Sequence, residues 1–140
     1  MGKAPNIGGG TRARISNALV ALHTRHYGKG PTAAKTWMVD DTVVSILRDP
    51  FTQVELTLIA DGQPEAVHQM RERFQAAMHD DFTGVVEDAT GRRVVAYMNQ
   101  INVDPDLSVE IFVLDPASHG VSPPNEEDEA QSPPSRSDPA

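Results

Sequence analysis

Gly28-Lys29-Gly30-Pro31-Thr32 separates two kinds of periodicity. Before it, Ile15, Leu19 and Leu22, with Ala18 and His26, recur at helical spacing and form one apolar stripe. Thr11 suits an N-cap and Gly28 the left-handed position that ends many helices, so a helix is predicted over 12–27. After it, 35–39 and 42–48 are rich in β-branched residues and contain Trp37, with Asp40-Asp41 between them, the pattern of a tight hairpin.

The same order then repeats. Thr52 and Glu55 stand three apart as a capping box, flanked by Phe51 and Leu56 as a hydrophobic staple, so a short helix is predicted from Thr52 to Gly62. Pro64 suits the first turn of a second, long helix. Val67, Met70, Phe74, Met78, Phe82 and Val85 carry its buried face to about Ala89, with Gly91 just beyond. Gly84 inside that pattern costs about 1 kcal/mol against alanine and is where a break is expected, if anywhere. Residues 94–101 and 107–114 form a second hairpin, joined through Asn102-Val103-Asp104-Pro105-Asp106.

The expected fold is α+β: a two-layer sandwich of α-β-β-α-α-β-β order, its four-stranded antiparallel sheet carrying helices on one face. The strands do not alternate cleanly. Leu107, Val109, Ile111 and Val113 face one way, and Ser108, Glu110, Phe112 and Leu114 the other. A sheet apolar on both faces needs cover on both. Either a further helix or chain terminus crosses the second face, or a second copy does, since monomers seldom expose apolar patches of several hundred Å².

Composition bounds the rest. Residues 116–140 hold Pro-Pro pairs, the run Asn125-Glu126-Glu127-Asp128-Glu129 and no Val, Ile or Leu after Val121, which predicts a disordered acidic tail. Residues 1–10, with three consecutive glycines, read as a flexible leader, leaving a single domain over 11–115. The net charge is −8; five of the 20 acidic residues and one of the 12 basic ones lie in the tail, which leaves 15 and 11 before it. That balance argues against nonspecific nucleic-acid binding and against unaided docking on an anionic membrane. With no cysteine, disulfides, thiolate catalysis and cysteine-ligated metals are excluded. No apolar run approaches the roughly 20 residues that span a bilayer, and no signal-peptide pattern is present. A cytoplasmic protein is the expectation.

Chemistry-bearing residues are sparse. The Gly28–Thr32 loop can turn backbone N–H groups outward beside Lys29, but it lacks the Walker spacing and ends a helix, the wrong pole of the dipole for an anion. A helix cap leading into a turn is the stronger reading. His23 and His26, one turn apart, lack a third metal ligand, and His79-Asp80-Asp81 offers no better set, so no metal is expected and the histidines read as surface or packing residues. Asp40-Asp41, Asp80-Asp81, Glu87-Asp88 and Asp104-Pro105-Asp106 read as turn and solvated-face residues, because adjacent side chains diverge. Arg71 and Arg73 read as a solvated helix face paired with acidic neighbours, and Trp37, Tyr97 and Phe112 as core or interface. No nucleophile-base-acid arrangement and no dinucleotide fingerprint is legible, and no cofactor is expected.

Taken together, residues 15–23 (Ile-Ser-Asn-Ala-Leu-Val-Ala-Leu-His), 27–32, 47–55, 70–74 and 90–95 resemble the MpsC-type domain, a bacterial family named after a sodium-translocating, membrane-potential-generating system. The likeness spans nearly all of 12–115. It implies a noncatalytic soluble accessory protein working with integral membrane subunits that move cations, and it brings no catalytic residues. Gly28, Lys29, Gly30, Pro31 and Thr32 are the nearest thing to a signature and, with Asp104 to Asp106, the expected partner contact. A small-molecule or anion-binding regulator is the alternative, with Lys29 and Arg92 or Arg93 as binders. A homodimer, no nucleic acid and no direct membrane insertion complete the expectation.

Overall fold

A computed structural model describes residues 7–116 of the chain. Helix α1 (Ile7–Tyr27) leads into the hairpin of β1 (Ala33–Val39) and β2 (Thr42–Arg48). Then come α2 (Gln53–Ala60), α3 (Pro64–Ala77) and α4 (His79–Thr90), followed by β3 (Val94–Asn102) and β4 (Leu107–Leu114). The sheet is antiparallel throughout, in the order β1-β2-β4-β3, so the two hairpins join through β2 and β4. The α+β class and the antiparallel sheet are as expected.

The helical segments differ from expectation in two places. The long helix is two helices, broken at Met78 (φ −104°, ψ 16°) and continuous through Gly84, which gives the order α-β-β-α-α-α-β-β. Asp80 and Asp81 fall in the first turn of α4, where carboxylates suit the helix dipole, and that favours a new start there. Helix α1 begins at Ile7, inside the stretch read as a leader, so Thr11 is within the helix and does not cap it. Extending an existing helix needs no new nucleus, which offsets the poor propensity of its glycines. The expected acidic tail lies outside the described residues beyond Pro116.

The capping box at Thr52 is complete: Glu55 N–H donates to Thr52 Oγ1 and Thr52 N–H to Glu55 Oε1. The staple is not closed by Leu56, which is exposed; Phe51 packs instead on Val67 and Ile101, with Leu58 and Ile59 beside them. On the long pattern, Val67, Met78 and Phe82 are buried as expected, but Met70 is exposed and Val86 replaces Val85 as the fully buried residue.

The main core joins Ile15, Leu19 and Leu22 of α1 and Phe82 and Val86 of α4 to Val43, Leu47, Phe112 and Leu114 of the sheet. Each such side chain contributes about 1.5–3 kcal/mol through burial. Every sheet residue in the two apolar clusters belongs to one face, the face of Ser108, Glu110, Phe112 and Leu114. The helices therefore lie on one side. On the other face Leu107, Val109, Ile111 and Val113 are only half-buried.

Candidate functional site

Two features go beyond what a small α+β core needs: the sheet face that no described helix covers, and a band of polar side chains across the covered one. Strand register builds both.

On the open face, Trp37, Val44, Ile111 and Met98 lie in one row across the strands, with Lys35, Ile46, Val109 and Gln100 in the next. Trp37 is 42% and Met98 50% exposed, and Val39 at the hairpin end 63%. Lys35 Nζ sits 5.3 Å from the centre of the Trp37 ring. Four strands of about seven residues give a footprint on the order of 400 Å². The face carries Lys35 and Arg48 near its β1 edge and no acidic strand residue.

On the covered face the register aligns Thr36, Ser45, Glu110 and Asn99 in a polar row between two more apolar ones. Hydroxyls link its first half: Ser16 Oγ to Thr36 Oγ1 at 2.8 Å, and Thr36 Oγ1 to Ser45 Oγ at 2.7 Å. Glu110, fully buried, accepts the Tyr97 hydroxyl on Oε1, and that hydroxyl also lies 2.9 Å from Gln75 Oε1. Above it sits His23, also fully buried, its ring stacked on Phe82 and its Nε2 3.8 Å from Glu110 Oε2. Its Nδ1 lies 2.8 Å from the Leu19 carbonyl, which can only accept, so Nδ1 carries the proton. Burial lowers the His23 pKa to about 4, against the help of the Leu19 bond. Burial likewise pushes Glu110 up to about 7, despite the Tyr97 hydrogen bond. Tyr97 is driven upward by its own burial and by the charge of Glu110.

A second buried pair stands beside this row. Arg71, 2% exposed, grips Glu55 with Nε and Nη2, both at 2.6 Å, and Nη2 also donates to the Pro50 carbonyl at 2.7 Å. Its guanidinium lies 3.9 Å from the centre of the Tyr27 ring. Although burial opposes it, the hydrogen bonds from Arg71 and Thr52 hold Glu55 below the usual carboxylate range. The solvated-face reading of Arg71 is thus corrected: Val67, Arg71 and Gln75, four apart, form the buried stripe of α3. The spacing from Val67 was the available signal, together with Glu55 as the capping-box acid. Glu110 was visible only as a charged residue amid β4's apolar ones.

The residues singled out from the sequence do not converge. Gly28 (φ +83°) ends α1, and a Cβ on Gly30 would stand 2.0 Å from Thr24 Oγ1. Lys29 Nζ donates to the Asp49 carbonyl and Thr32 Oγ1 to the Asp49 carboxylate, while the buried Pro31 sits between them. Gly28 therefore has a backbone reason and Gly30 a packing one, and the loop is braced on β2's end. Asp106 accepts from Asp49 N–H, so the second turn lies at the same end of the sheet. Arg92, paired with Asp41, and the exposed Arg93 lie at the opposite end, beside the β1–β2 turn. His26 pairs with Asp81 at 3.5 Å and His79 with Asp80 at 3.2 Å. Among the described residues no three His, Cys, Asp or Glu side chains gather as a metal site. No described helix is long and apolar enough to cross a membrane.

No curated protein and no solved structure matches the chain. A family model does, over residues 9–116, the whole sheet and all four described helices but for the first residues of α1: that of the Na+-translocating membrane potential-generating system, MpsC. The chain belongs to the MpsC family.

Proposed function

We propose that the chain is a noncatalytic interaction domain that pairs with a second copy through its open sheet face. As a dimer it serves, in the cytoplasm, as an accessory to integral membrane subunits of a cation-translocating, membrane-potential-generating system. The observation that carries this reading is the apolar face centred on Trp37, Val44, Ile111 and Met98, which no helix among the described residues covers. A two-fold partner fits that face, because stacking two such sheets about 10 Å apart matches apolar row to apolar row. Lys35 on the β1 edge meets no like charge if that edge crosses the partner's β3, which holds Gln100 and Asn102 there. Membership of a family named for sodium translocation supports the membrane-partner half, and the Gly28–Thr32 loop is its proposed contact.

Sedimentation equilibrium tests the dimer. The full chain should sediment at twice its mass at micromolar concentration. Ile111→Lys places an unpaired charge at the centre of the face and should weaken association by about two orders of magnitude, with the circular dichroism unchanged. A monomeric full chain, or an unaffected variant, sinks the dimer. For the membrane partner, a tagged pull-down from detergent-solubilised host membranes should recover polytopic cation-transport subunits, and Lys29→Glu should reduce the yield. Recovery of the chain alone counts against that half.

A further inference from the structure

The sheet has two edges, and the β3 edge is framed by a helix. A groove runs between α3 and β3 in two joined compartments of about 280 and 330 Å³, with Glu72 and Asn99 common to both. Backbone phase settles which groups of β3 face it. Leu114 N–H donates to Asp41 and Asp49 N–H to Asp106, so the even residues of β4 bond to β2 and the odd ones to β3. The partners of those odd residues are Ala96, Met98, Gln100 and Asn102. The amide groups of Tyr97, Asn99 and Ile101 are then directed away from β4, the Ile101 carbonyl meeting the Gln100 side-chain amide at 3.4 Å, and all three residues line the groove.

We propose that β3 accepts an extended basic segment of a partner protein as a fifth strand, laid in the groove beside α3. Strand addition uses the unpaired main-chain groups of an edge for affinity and alternate side chains for specificity. Here the two sets of side chains would meet different surroundings. Those on the helix side meet Glu65 and Glu72, exposed on α3, with His68 between them. The positive charge of Arg71 in the same wall is already matched by Glu55, so the groove presents net negative charge and selects lysine or arginine. Side chains on the other side extend the apolar face from Met98 and favour valine or isoleucine. The chain's own Glu126–Glu129 run has the wrong charge for this site. At the start of β3 the irregular register between Val94 and Ala96 interrupts the edge, which confines pairing to 97–101.

The probe is a capped pentapeptide, Lys-Val-Arg-Val-Lys, titrated into the isotope-labelled full chain and followed by amide chemical shifts. Saturable shifts should centre on Tyr97, Asn99 and Ile101, and their N–H groups should gain protection from hydrogen exchange. The acidic twin Glu-Val-Glu-Val-Glu should bind at least about tenfold more weakly. Asn99→Pro removes an outward N–H, a change edge strands tolerate, together with the Asn99 side chain that bonds Tyr97 and lines the groove; it should weaken binding about tenfold or more, and Asn99→Ala, which loses the side chain alone, should weaken it less. Glu72→Lys, on an exposed helix position, should weaken it about three- to tenfold. Shifts that map elsewhere, equal binding of the acidic twin, or undiminished binding to Asn99→Pro would overturn the proposal. The sheet-face dimer is read separately by mass, and neither groove variant alters that face.

Discussion

Glu110→Gln should uncover a pH dependence that the native protein cancels. Glu110 keeps its proton to about pH 7 in the fold and loses it near 4.5 when unfolded, so folding takes up a proton between those values. Its contribution to stability is greatest below pH 4.5 and falls as the pH rises to 7. His23 does the reverse. It titrates at about 4 when folded and near 6.5 when unfolded, so its stability is present above 6.5 and is lost as the pH falls toward 4. Each shift of about 2.5 units corresponds to about 3 kcal/mol, with opposite signs over an almost shared window. Between pH 4.5 and 6.5 the two slopes oppose, and native stability should be nearly flat. With Gln at 110 only the His23 slope remains, and stability should rise by about 2–3 kcal/mol from pH 4.5 to 6.5. His23→Phe, which keeps the stack on Phe82, should fall by a similar amount as the pH rises across the same range. The other charged groups facing this pair, Arg71, Glu55 and His26, are common to all three proteins, and Tyr97 does not ionise in the window. Urea unfolding by circular dichroism at fixed protein concentration, repeated across pH, measures it. Three parallel profiles would refute the reasoning.

Two further outcomes follow from the packing. Arg71→Met should cost about 3–5 kcal/mol, because it strands the buried Glu55 carboxylate without its partner; a loss below 1 kcal/mol in urea melts would show that the pair is not desolvated. The depressed Glu55 pKa adds stability above about pH 4.5 that disappears as the pH falls, and the variant should lack that acid-side decline. Gly30→Ala should cost about 1–3 kcal/mol by driving a methyl group into Thr24, and Thr24→Ala in the same chain should recover part of it, as calorimetry can check. An innocuous Gly30→Ala would mean that helix and loop are not held so close.

Local chemistry made much of this protein legible from its sequence. Gly28 as a helix stop, the Asp40-Asp41 turn, the Thr52/Glu55 box and Pro64 at a helix start each involve residues within a turn of one another, and each is found where the local rule puts it. The doubly apolar character of β4 likewise came from alternation alone, and with it the question of what covers the second face. The break at Met78 was harder, because apolar spacing runs on through it and only the acidic pair Asp80-Asp81 marks a new start.

The placement of charge could not be read the same way. Arg71 and Glu55 are 16 residues apart, and Glu110 lies far from His23 in the chain; whether such groups meet depends on how α1, α2 and α3 settle over the sheet. Burial then decides their chemistry, since desolvation acts on a group only once other elements have closed over it. The strand register likewise puts the Gly28–Thr32 loop and Arg92 and Arg93 at opposite ends of the sheet, and the strand order leaves the β3 edge beside α3 without a further strand among the described residues. The sequence by itself determined the elements and their apolar faces, because those arise from neighbours along the chain. Only the tertiary structure decided which charges are buried together and which face and edge no described element covers, because those depend on contacts between distant segments.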